Sequence, residues 1–70
     1  MSRYYFHYRD GSSLFEDDVG EVFADASLAM QHATKIAREL ARGGEPPNAA
    51  IVVVERGQPL FEVALGEQDD

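Results

Sequence analysis

Seventy residues make one domain with one small core, because a chain of this size buries only about 60% of the surface it exposes when unfolded. The absence of cysteine removes disulfides and a Cys/His zinc site as reinforcement, which leaves close packing or self-association. Thirteen acidic residues against six basic ones give a net charge of −7, a balance that repels polyphosphate and anionic membrane at long range and disfavours nucleic acid as a partner.

The chain begins with an aromatic stretch, R-Y-Y-F-H-Y-R-D-G, from Arg3 to Gly11. Arg3 to Arg9 alternates at period two, so Tyr4, Phe6 and Tyr8 share one face of a strand and Arg3, Tyr5, His7 and Arg9 share the other. Asp10-Gly11-Ser12-Ser13 is turn chemistry, and Leu14-Phe15-Glu16 returns as a short second strand, which predicts a hairpin. Asp17-Asp18-Val19-Gly20 reads as a second turn, followed by Glu21-Val22-Phe23 as an extended approach to a helix. Asp25 suits the N-cap of that helix. Projected at helical spacing, Ala26, Ala29, Met30, Ala33, Ile36, Ala37, Leu40 and Ala41 form one apolar stripe, opposite Gln31, Lys35, Arg38, Glu39 and Arg42. Gly43 is expected to end the helix, with Lys35, Arg38 and Arg42 complementing its negative pole.

Tandem prolines at Pro46 and Pro47 mark a connector. The β-branched run Ala50 to Glu55 predicts a strand, Arg56-Gly57-Gln58-Pro59 a turn, and Leu60 to Leu65 a last strand with Phe61, Val63 and Leu65 inward. Residues 66–70 read as an acidic, frayed tail. The whole is one α+β domain spanning residues 1–70, of order ββαββ, with one amphipathic helix across one face of an antiparallel sheet.

The opening motif, the acidic stretch Asp17-Asp18-Val19-Gly20-Glu21, Asp25 and the Ala-rich helix resemble a family of small bacterial proteins common in rhizobia, catalogued as a domain of unknown function (DUF6894-like). Tyr8 stands where that pattern more often carries an aliphatic residue. The resemblance implies a free-standing bacterial domain and supplies no activity, cofactor or catalytic residue.

Catalysis is not expected. Ser12, Ser13 and Ser27 lack the glycine elbow that exposes a nucleophile, and His7 near Asp10 or Ser12 reads as a strand histidine beside turn-capping hydroxyls. Glu16, Asp17, Asp18 and Glu21 lack the alternate spacing of a calcium loop and read as a solvated acidic turn. Gly43-Gly44 neither follows a strand nor opens a helix, so it is no phosphate loop. No metal or cofactor is therefore expected. Nothing after Met1 resembles a leader, and the apolar run 49–54 is too short to cross a bilayer, which together predict a soluble cytoplasmic protein.

The remaining candidate is the second face of the first strand. Arg3, Tyr5, His7 and Arg9 must share it with Val52 and Val54, or else with Ile51 and Val53, because the third strand is apolar at both parities. Leu60 joins them. With Val52 and Val54 taken as the outer pair, the face is more apolar than a solvated surface, and arginine and tyrosine are residues that interfaces favour. The expectation is a non-catalytic protein-interaction or accessory module, pairing with another protein or with itself. The alternative is single-stranded nucleic acid stacked on the same face, although the strand lacks the glycines of a ribonucleoprotein motif.

Overall fold

The computed structural model describes residues 1–67. β1 (Ser2–Asp10) is the longest strand, and a two-residue turn at Gly11 and Ser12 returns it as β2 (Ser13–Phe15), with Tyr8 opposite Phe15 and Asp10 opposite Ser13. The chain leaves the ladder for residues 16–20 and rejoins it as β3 (Glu21–Phe23), with Ser2 opposite Phe23 and Tyr4 opposite Glu21. The segment expected as an extended approach is thus a strand. β2 and β3 lie end to end on the same edge of β1.

The helix α1 (Ala26–Arg42) starts where the sequence places it. The Asp25 carboxylate accepts from the Leu28 amide at 3.1 Å and from the Ser27 hydroxyl at 2.7 Å, and these bonds hold its pKa below the usual carboxylate value. Ala29, Ala33 and Ala37 are fully buried, whereas Ala26, Met30 and Ala41 are exposed, so the buried stripe is narrower than the one projected. A seam of alanines at four-residue spacing lets the helix backbone lie close on the sheet. The helix closes at Gly43, and the Gly44 and Glu45 amides donate to the Ala41 and Leu40 carbonyls. That pair of bonds is a Schellman motif, and Gly44, at φ 93°, supplies its left-handed residue. Of the three basic residues expected to complement the dipole, only Arg42 lies in the last turn.

β4 (Ala50–Glu55) pairs with β1, and β5 (Gln58–Ala64) pairs with β4, so the antiparallel sheet runs β2-β1-β4-β5, with β3 sharing β2's edge of β1. The parity left open by the sequence is resolved by burial: Ile51 and Val53 face the helix at 2% and 0% exposure, and Val52 and Val54 point the other way. Tyr4, Val63 and Leu65 complete the core, with Phe6, Tyr8, Phe23, Ile36, Leu40 and Phe61 around it. On the helix, His32 meets Phe6 edge-on at 4.9 Å and Phe23 at 5.2 Å, closing an aromatic cluster over the β3 end.

The last strand stops at Ala64 rather than Leu65. Residues Leu65–Glu67 form a 3₁₀ turn that folds back on the connector, where the Leu65 amide donates to Ala49 and the Gly66 amide to Pro47, each at 3.0 Å. Leu65 still points inward. The start of the expected tail is therefore ordered against Pro47, and residues 68–70 lie outside the described residues.

Candidate interaction face

Two strands meeting end to end leave a gap on β1. β3 pairs as far as Tyr4 and β2 begins at Tyr8, so the edge of β1 from Tyr5 to His7 has no strand beside it. Asp17 fills the gap. Its carboxylate accepts from the Phe6 amide at 3.1 Å, the Val19 amide at 3.0 Å and the Gly20 amide at 3.1 Å, while its own amide donates to His7 Nδ1 at 3.0 Å. Desolvation pulls its pKa upward, but the amides of Gly20, Phe6 and Val19 and the nearby His7 outweigh it and leave the pKa lowered. Asp17 is therefore a structural anchor and not part of a solvated acidic turn. His7 turns to Asp17, and its ring nitrogen Nδ1 is occupied by a backbone amide instead of reaching Asp10 or Ser12.

Gly20 closes the same turn at φ 72°. A Cβ there would lie 2.9 Å from Arg3 Cγ, 2.9 Å from the Tyr4 carbonyl and 3.0 Å from the Tyr5 ring. Only glycine lets the Arg3 stem and the Tyr5 ring lie over this turn. Arg3 is further held by its guanidinium, which donates to the Val19 carbonyl at 2.9 Å.

The outer face of the sheet follows from the registers. Tyr5 sits opposite Val54 and His7 opposite Val52, so the candidate residues Arg3, Tyr5, His7, Arg9, Val52 and Val54 do come together on the side away from α1. Leu60 is placed differently: it is the extra residue of a β-bulge between the Val53–Phe61 and Val54–Pro59 pairs, and it is 43% exposed. Sequence reasoning missed Glu62, which sits opposite Val52 and makes an ion pair with Arg9. Strand parity alone pointed to it, since Glu62 lies one residue from each of the inward Phe61 and Val63. Leu14 and Val22 were missed as well; they stand opposite Arg9 and Arg3 and widen the face with apolar surface, at 49% and 43% exposure.

On the helix side, the Tyr8 hydroxyl donates to Glu45 at 2.9 Å, and its ring stacks on Phe15. Desolvation, that hydrogen bond and the charges of Glu45 and Asp10 push its pKa up to about 12. Among the described residues no three His, Asp or Glu side chains converge to hold a metal ion, and no helix is long and apolar enough to cross a membrane.

Residues 3–66 match the domain of unknown function DUF6894. The chain belongs to the DUF6894 family. Neither a curated protein nor a solved structure matches it. For a DUF6894 domain, then, function has to be read from the face itself.

Proposed function

We propose that this DUF6894 chain is a non-catalytic accessory module that binds a protein partner, another chain or a second copy of itself, through the outer face of its sheet. The observation that carries this reading is the pairing of Val52 and Val54 with His7 and Tyr5 on the side of the sheet that α1 does not cover. Two β-branched residues flanked by tyrosine, histidine and arginine have the composition of an interface centre with a polar rim. The Arg9–Glu62 ion pair belongs to that rim, where exposed charges contribute to orientation more than to affinity. The same pair weighs against single-stranded nucleic acid, because Glu62 places a carboxylate beside the arginine that a phosphate would need.

Light scattering coupled to size exclusion, over a range of protein concentrations, tests self-pairing. A dimer that Val54→Lys returns to monomer is the expected result. A wild-type chain that stays monomeric at the highest concentration removes self-pairing and leaves only a different protein as partner.

A further inference from the structure

We propose that the hollow between Arg3 and Arg56, at one end of the outer face, is a binding site for an oxyanion, either a carboxylate or a phosphate monoester. This stands apart from the interaction reading, since a free anion can occupy the hollow whether or not a protein docks on the sheet. The hollow is open, about 320 Å³ in volume, and lined by Met1, Ser2, Arg3, Tyr5, Glu55 and Arg56. Two arginines lining one hollow repel each other, and an anion bound there reverses the sign of that interaction. Among the described residues neither guanidinium forms an ion pair, whereas Arg9, two residues along the same face from His7, has Glu62. Glu55 also lines the hollow without pairing with either arginine, so the local charge stays positive in a chain of net charge −7.

Arg3 is held in place, and Arg56 is carried on a tight turn. Arg3 is fixed by the Val19 carbonyl and by its packing on Gly20, and one donated bond leaves its other N–H groups free for a ligand. Arg56 is the one non-glycine residue at positive φ among the described residues, at 54°, and Gly57 follows at 76°. Two positive φ values in a two-residue hairpin loop are the pattern of a type I′ turn, where asparagine, aspartate or glycine fits and arginine is strained. An unfavourable backbone that carries a charged side chain to the rim of a hollow is a reason to look for a ligand there. Tyr5 adds a ring on which a planar group can stack.

The test is an NMR titration of the ¹⁵N-labelled chain at low ionic strength with inorganic phosphate, acetate and adenosine monophosphate, against a chloride control. The expected result is saturating shifts at Arg3, Tyr5 and Arg56 with phosphate or acetate. Tighter binding of acetate assigns the site to carboxylates, and tighter binding of the nucleotide assigns it to phosphate carried on a stacking base. Arg56→Gly removes the charge while accepting the positive φ, so it should weaken binding about tenfold, as loss of a charge-assisted hydrogen bond does, with no fall in melting temperature. Arg3→Gln should weaken it similarly. Shifts that stay linear with anion concentration, that match chloride, that centre elsewhere, or that survive Arg56→Gly unchanged overturn the proposal.

Discussion

Asp17 shows how much one side chain can do in a sheet this small. It substitutes for a missing stretch of strand by accepting three backbone amides, and its own amide occupies His7. Removing the charge while keeping the shape, Asp17→Asn, should cost about 1–2 kcal/mol at neutral pH, measured by urea unfolding, because hydrogen bonds to an ionised group are the stronger kind. The pH dependence has a definite sign. The folded-state pKa lies below the ordinary value of 3.8, so the contribution is complete above that value and is lost as pH falls through the folded pKa. Asp17→Asn should therefore flatten the acid limb of the stability curve, leaving the part that comes from Asp25, whose pKa is also lowered. An acid limb identical to the wild type would show that the carboxylate does not carry these bonds. The sequence placed Asp17 in a turn but did not reveal this role, because the gap it fills exists only once β2 and β3 have both paired with β1.

At the scale of elements, α1 sits on the sheet through Ala29, Ala33 and Ala37, and the spacing between the layers depends on those methyl groups. Ala33→Leu has no room to enlarge into. It should lift the helix and cost about 1–3 kcal/mol in thermal or chemical denaturation, whereas Met30→Leu, on an exposed position, should change stability little. Equal effects at the two positions would place the helix contact elsewhere. This layer was legible beforehand because its signals are local: an N-cap at Asp25, an apolar period of 3.6 and a glycine stop are all written within the helix. β3 was not legible. A three-residue strand has too little alternation to stand apart from a loop, and its pairing with β1 is a long-range choice that local residues do not announce. The face of β4 was ambiguous for a related reason, since Ile51, Val52, Val53 and Val54 suit either side and only the register with β1 decides between them.

For the whole molecule, the alternation of β1 divides the labour. Tyr4 is 3% exposed and belongs to the core, while Tyr5, the next residue, lies on the outer face against Val54 and over the Gly20 turn. That division could be read from period two alone. What the outer face carries beyond β1 could not, because the pairing of Arg9 with Glu62 depends on the order in which β1, β4 and β5 assemble. The inner residues of β1 hold the fold and, on the proposed function, the outer ones bind; urea unfolding of Tyr4→Ala and Tyr5→Ala at several protein concentrations separates the two roles. Tyr4→Ala should lose about 3 kcal/mol at every concentration. Tyr5→Ala should lose less than about 1 kcal/mol at low concentration, and should abolish the rise in stability with concentration that a self-pairing wild type shows. Losses as large at Tyr5 as at Tyr4, independent of concentration, would contradict the claim.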